Sequence, residues 1–399
     1  MDYTQSSMLE IGFAKKMGQR SVLADTRINP ILKWPGGKTG ELSIIAPSIP
    51  SNMARYFEPF LGGGAVFFSI SDHVPALVND KSSDLMAFYQ CIRDREGTFF
   101  SSLEEMKATW QFLERFAYEH HEFIVDIYDR YEGGDRSREQ LKVDISQLLQ
   151  KQHHNLLSML GNTLNQDGTY FLSEIEKNLI NKLIRTYNIE DDFGTFTTNE
   201  VLENIEGSLK SGFYMYLRHL YNHHEMYKID RCCNSAIFFF MREYSYASMF
   251  RFNKQGYFNV PYGGITYNRK DIGTKIEAMK QDALIKRINN SSLENIDFLD
   301  FFHKHKPEQD DFIFIDPPYD TDFSSYDGNS FNKEDQLRLS LYLTNECRGK
   351  FMLVIKHTEY ILSLYAHKGL NIRSFNKKYM WTIKERNERD TVHLMITNY

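Results

Sequence analysis

The chain has 399 residues, too many for one average domain and enough for a large domain that carries an insertion. Hydrophobic residues make up 42% and charged residues 25%, which excludes wholesale disorder and allows a packed core. The net charge of -6 argues against a uniformly basic nucleic-acid binder, although binding responds to the local field of a cleft rather than to the summed charge.

Residues 1–28 lack strong periodicity and read as an N-terminal extension. Residues 29–94 read as the first part of an α/β domain. Ala54–Phe60 predicts a short strand, Leu61–Gly64 a turn, and Ala65–Ile70 the start of a helix. Pro75–Val78 predicts a second strand ending at Asn79-Asp80, and Leu85–Arg93 a helix. This β-α-β-α opening points to a parallel sheet covered by helices.

Residues 95–270 read as an inserted, mainly helical region. Phe112, Phe116, Ile124, Ile127 and Tyr128 have helical spacing, as do Leu179, Ile180, Leu183 and Ile184. Ala236–Phe240 is apolar and Tyr244–Phe252 is rich in aromatics. Gln255-Gly256 then separates two short extended runs, as in a β-hairpin. Residues 271–399 return to the α/β pattern, with a helix over Asp271–Asn289 and strands at Phe312–Ile315, Phe351–Ile355 and His393–Thr397.

The cysteines Cys91, Cys232, Cys233 and Cys347 form no CxxC pair. Neither a metal site nor a disulfide framework is expected, and reduced thiols fit a cytoplasmic setting. No apolar run approaches the length of a membrane span, and the start of the chain has no secretion-signal pattern.

Four constellations carry chemistry. In Glu58-Pro59-Phe60-Leu61-Gly62-Gly63-Gly64, glycines between strand and helix let a ligand approach the backbone, but the dinucleotide GxGxxG spacing is broken by Phe67. Asp80, at the end of the next strand, is placed to accept hydrogen bonds from ribose hydroxyls. Leu32-Lys33-Trp34-Pro35-Gly36-Gly37-Lys38 is half a phosphate loop, since Leu32 stands where the first glycine is required. Its Trp34 offers a face to a sulfonium or an adenine, and its Lys38 can donate to a carboxylate.

Asp316-Pro317-Pro318-Tyr319 directly follows the strand Phe312–Ile315. The prolines stop the ladder and stiffen the turn. Asp316 and the Pro317 carbonyl are then two acceptors for one planar amino group, and Tyr319 is a stacking face for the ring that bears it. Alone, this turn suits adenine N6, cytosine N4, a base in RNA or a glutamine side chain.

Together these motifs resemble the Dam-type DNA adenine-N6 methyltransferases, in the family's order. Arg251–Gly263 resembles the family's RxN…FNVPxG hairpin, and Tyr326, Phe331 and Ile396–Tyr399 are also similar. The likeness covers 29–94 and 236–399. It implies a Rossmann-like S-adenosylmethionine-dependent methyltransferase sheet with an inserted, mainly helical DNA-recognition domain and a β-hairpin. It implies that Trp34, Lys38, Phe60, Gly62, Gly64, Asp80 and Asp316 form the cofactor pocket, and that Asp316, Pro317 and Tyr319 hold the adenine. Tyr246 aligns with an intercalating aromatic, Met249 with an apolar base contact and Arg251 with a guanine-reading arginine, and Asn253 and Pro261 belong to the same DNA-binding segment. Tyr244–Ser248 departs from the family's Asn/Gly-rich version, and Gly264 stands where a phosphate-binding arginine is usual.

Double-stranded DNA is the implied partner of a monomeric enzyme, with GATC as the best single site. The enzyme could work beside a cognate restriction endonuclease, or be solitary or phage-encoded. The alternatives are an amino-methyltransferase acting on cytosine N4 or RNA, and an inactive DNA-binding relative.

Overall fold

The computed structural model describes residues 21–25, 28–135, 137–319, 331–378 and 390–399. Most of the N-terminal extension, and Tyr326, lie outside them. Seven strands are present among the described residues: β1 (Tyr56–Glu58), β2 (Ala76–Asn79), β3 (Ser291–Glu294), β4 (Phe312–Ile315), β5 (Lys350–Lys356), β6 (Asn371–Lys378) and β7 (Asp390–Thr397). They form one sheet in the order β3-β2-β1-β4-β5-β7-β6. β1 to β5 run parallel, and β7 is antiparallel to both of its neighbours.

Strand alternation explains why β4 and β5 are continuously apolar. Phe312, Phe314, Met352 and Val354 face one core, while Ile313, Ile315, Phe351, Leu353 and Ile355 face the other. The second core is closed by the helices Phe298–His305, Lys333–Asn345 and Glu359–Tyr365. The first core runs on into the long helices that lie between β2 and β3 in the chain.

These helices are Gly97–Glu132, Arg138–Lys151, His153–Ser158, Gly168–Phe193, Thr198–Asn222 and Arg231–Tyr244. The periodic residues Phe116, Ile124, Ile127, Tyr128, Leu179, Ile180 and Leu183 are buried, as the spacing predicts. Local starts are written in the sequence. Ser137, Asp167 and Asp230 cap their helices, and Thr197 with Glu200 forms a capping box.

Two local expectations are corrected. The helix predicted after the glycine turn is only a 3-10 turn, Phe67–Ser69. Val66, Phe67, Phe68 and Ile70 are all buried, so the segment has no solvent face on which to build an amphipathic helix. The helix predicted over Asp271–Asn289 is broken into Gly273–Met279 and Asp282–Asn289 by the extended Gln281 (ψ 131°). The apolar Ala236–Phe240 lies within the helix Arg231–Tyr244. All four cysteines are free. Among the described residues no helix is long and apolar enough to cross a membrane, and no His/Cys/Asp/Glu group is arranged to hold a metal ion.

Candidate active site

The strand order reverses between β1 and β4, because β2 and β3 lie on one side of that pair and β5 on the other. In open parallel sheets the crevice outside such carboxyl ends is where ligands bind. Three of the predicted motifs leave the sheet here. Pro59–Gly64 follows β1, Asp80 follows β2 and Asp316 follows β4.

The glycine loop is shaped by its surroundings. Gly62 and Gly64 adopt φ of +50° and +69°, in the left-handed region that disfavours side chains. A Cβ on Gly62 would stand 2.9 Å from Trp34 Cδ1, and one on Gly64 would stand 2.9 Å from Phe68 Cε2. Trp34 therefore packs on the glycine backbone itself. The Gly62 N–H donates to Asp80 Oδ2 (2.8 Å), and Asp80 Oδ1 accepts from the Ser82 N–H (3.0 Å). Burial pushes the Asp80 carboxyl up, and these N–H bonds pull it back. Buried Asn79 fixes the same corner, donating to the carbonyls of Pro59 and Ile296 (3.1 Å each). Phe60 packs against Phe298 and Phe331, each at 5.5 Å between ring centroids.

Lys38 reaches across to the Asp316 turn. Its Nζ donates to Asp316 Oδ1 (2.6 Å) and the Gly36 carbonyl (2.8 Å), and lies 3.4 Å from the Tyr319 hydroxyl. An ammonium has three donors, so this lysine is fully engaged with the protein's own acceptors. Burial pushes the Asp316 carboxyl up, while Lys38 and then Lys377 hold it down. Pro317 is buried, and the Pro318 carbonyl accepts from Gln336 Nε2 (2.8 Å). Among the described residues, Asp316 Oδ2 and the Pro317 carbonyl accept no hydrogen bond. Tyr319 is half-buried and stands edge-on to His393, with centroids 5.5 Å apart. Burial, with Lys377 and Lys38 nearby, pushes His393 down to about 3, so the ring is neutral. Glu58, at the end of β1, accepts from the Tyr56 hydroxyl (2.6 Å). Burial drives its carboxyl well above the ordinary range, favouring the uncharged form.

The hairpin segment presents a different surface. Tyr246 is 55% exposed, and its N–H is held by the carbonyl of exposed Pro261 (2.9 Å). Ala247 and Ser248 both adopt φ of +52°, which explains why Asn or Gly suits these positions. Met249 is half-buried. Arg251 is exposed, and its Nε donates to Asn259 Oδ1 (3.2 Å). Asn253 turns inward: its Oδ1 accepts the N–H groups of Gln255 (3.0 Å) and Tyr257 (2.9 Å), capping the turn. Gly264, at φ +85° and ψ -168°, occupies backbone space that an arginine avoids.

Several residues of the site escaped the sequence reading. Asn222 clamps the hairpin at Phe258, accepting from its N–H (2.8 Å) and donating to its carbonyl (3.0 Å). Arg242, wholly buried, donates to the Lys33 carbonyl (2.6 Å), with its guanidinium 5.0 Å from the Trp34 ring centroid. Lys377 and Glu41, buried near Asp316, pair at 3.0 Å.

The family model of the D12 class N6 adenine-specific DNA methyltransferases matches residues 34–157 and 157–383. A type II methyltransferase, M.CviBI, of Paramecium bursaria Chlorella virus NC1A is 24% identical over 378 residues, spanning 93% of this chain and 100% of that protein. M.MjaIII of Methanocaldococcus jannaschii, also a type II methyltransferase, is 24% identical, spanning 93% and 99%. The DNA adenine methylase of Vibrio cholerae is 26% identical over 176 residues, 42% of this chain and 61% of that protein. With the family match running through the Trp34 loop, the glycine turn and the Asp316 turn alike, the chain belongs to the D12 class of N6 adenine-specific DNA methyltransferases.

Proposed function

We propose that this enzyme transfers a methyl group from S-adenosylmethionine to N6 of an adenine extruded from duplex DNA at a specific site. The observation that carries the reading is the Asp316 turn at the sheet's switch point, locked by Lys38 and facing a glycine loop with no room for side chains. Gly62, Gly64, Phe60, Trp34 and Asp80 would hold the cofactor, and the close approach allowed by the glycines fits a nucleoside. When bound, S-adenosylmethionine supplies an electrophilic methyl group on a sulfonium.

The chain's own residues do the rest. Asp316 Oδ2 and the Pro317 carbonyl accept from the N6 amino group and draw its lone pair out of conjugation. Tyr319 gives the base a face to stack on. Lys38 fixes the carboxylate before the base arrives, so no reorganisation is needed at the moment of transfer. A base paired in the duplex cannot reach these acceptors, so it must be flipped.

Residues 95–270 act in this reading as the target-recognition region, supported by the Asn222 clamp on the hairpin. Tyr246 would fill the gap left by the flipped base, with Met249 and Pro261 beside it, and Arg251 would read a guanine with two bonds. Asn253 shapes the turn that presents Arg251. GATC is the site this hairpin favours, and the enzyme would work as a monomer; the type II names of the relatives support a cognate restriction endonuclease beside it.

The test is nucleoside mass analysis after incubating duplex DNA with cofactor. Wild type should yield N6-methyladenine, and Asp316→Asn should lose about 100-fold or more in rate. Full activity in Asp316→Asn would sink the assignment, and N4-methylcytosine or methylated RNA would sink the substrate. Sequencing the modified positions of plasmid from expressing cells checks GATC.

A further inference from the structure

We propose that the buried Lys377–Glu41 pair sets the charge state of Asp316, with Lys377 as a positioning residue whose cation keeps the carboxylate ionised once base and cofactor displace water. The inference rests on the role assigned to Asp316 above.

The geometry is compact. Lys38 and Glu41 belong to one turn, closed by the Glu41 N–H on the Lys38 carbonyl (3.1 Å). Lys38 points to Asp316 at 2.6 Å, and Glu41 holds Lys377, near the end of β6, at 3.0 Å. Lys377 and Glu41 are each 8% exposed. The four side chains therefore alternate in sign, Asp316–Lys38 beside Glu41–Lys377.

Stability gives little reason for such a pair. Taking two charges out of water costs several kcal/mol per ion, which attraction returns only with full hydrogen bonding. Glu41 Oε2 has no hydrogen-bond partner among the described residues. A packed apolar pair would serve the fold as well. What an apolar pair could not supply is a field at Asp316, and both members act there: Lys377 lowers and Glu41 raises the proton affinity of its carboxyl.

The other groups facing Asp316 do not duplicate this role. From β1, Glu58 is pushed toward its neutral form. From β7, His393 is neutral, with Lys356 of β5 also acting on it. Tyr319 lies in the same turn as Asp316. Among the described residues Lys38 is the one cation in direct contact, and it is shared with Gly36 and Tyr319. A carboxylate that must stay charged in a closing, drying site gains from a second cation that the substrate cannot displace.

The experiment is single-turnover methyl transfer against pH, on the full chain with saturating cofactor and DNA, so that the acid limb reports the bound complex. Lys377→Met should move the limb up by about one pH unit, a loss of about tenfold on the limb with the alkaline plateau nearly kept. Glu41→Gln should move it down, and the double variant should fall between the two single variants, still above wild type because Lys377 is the larger influence. Lys377→Arg should hold the limb in place, and Glu41→Gln alone carries the sign test if Lys377→Met does not fold. A loss equal at every pH, or both single variants moving the limb the same way, would overturn the proposal. An active Asp316→Asn would instead overturn the assignment of Asp316 itself.

Discussion

The contact between Trp34 and Gly62 gives the most direct check of the cofactor loop. In Gly62→Ala the new methyl group would stand 2.9 Å from Trp34 Cδ1, on a backbone with φ of +50°. Holding alanine in the left-handed region costs about 1 kcal/mol. Forcing a methyl into a filled space adds about 1 to 3 kcal/mol. The indole cannot simply retreat, because the Arg242 guanidinium stands 5.0 Å from its centroid and is itself tied to the Lys33 carbonyl at 2.6 Å. A total of about 2 to 4 kcal/mol lowers the melting temperature by about 2 to 5 °C in a chain of this size. Gly134→Ala is the control, with φ of +79° and nothing within 4 Å of the added Cβ, so it carries only the backbone strain. Thermal melting and calorimetric titration with S-adenosylmethionine read both effects. The expected result is a larger melting shift in Gly62→Ala and an affinity loss of about tenfold or more that Gly134→Ala does not share. If both variants melt alike and bind cofactor like wild type, the packing of Trp34 on the loop does not shape the pocket.

Other outcomes follow from the same reasoning. Glu243 is buried between Lys270 (2.8 Å) and Lys275 (2.6 Å); burial pushes its carboxyl up, but the two lysines outweigh it and hold it below its ordinary value of 4.5. Its stabilising contribution is therefore fully present above that value and is lost as pH falls through the lower folded one. Glu243→Gln should cost about 3 to 5 kcal/mol at neutral pH, and the melting gap to wild type should narrow progressively as pH falls below 4.5; a gap that widens on acidification contradicts the pairing. Ala247→Gly and Ser248→Gly relieve left-handed strain at φ of +52° and should each stabilise by about 0.5 to 1 kcal/mol in denaturant melts. Asn222→Ala removes both bonds to the Phe258 backbone. It should raise the KM for DNA about fivefold or more, with kcat and cofactor affinity kept, since each lost bond is worth about 1 kcal/mol. An unchanged KM would show that the clamp has no bearing on DNA.

The parts of this enzyme legible in the sequence are those whose chemistry is local. Glycines at 62–64, an acid closing a strand at Asp80, and prolines directly after Phe312–Ile315 each announce a constraint within a few residues. β3 was invisible because an edge strand reading Ser-Ser-Leu-Glu has neither a continuous apolar run nor alternation, and β6, Asn371–Lys378, is likewise mostly polar. The backbone bonds of Asn253 Oδ1 to Gln255 and Tyr257 are turn geometry, which a motif records without explaining. Lys377 and Glu41 meet only through the fold, and no spacing rule links them. Arg242 is the instructive case. It follows the apolar run Ala236–Met241, and a guanidinium that goes into a core must be matched there. The carbonyl of Lys33 and the rings of Trp34 and Phe250, 5.0 and 4.8 Å away, supply that match. A lone arginine closing an apolar helical run was the signal available, and it leads from the helix that delivers Tyr246 directly to the loop that carries Lys38.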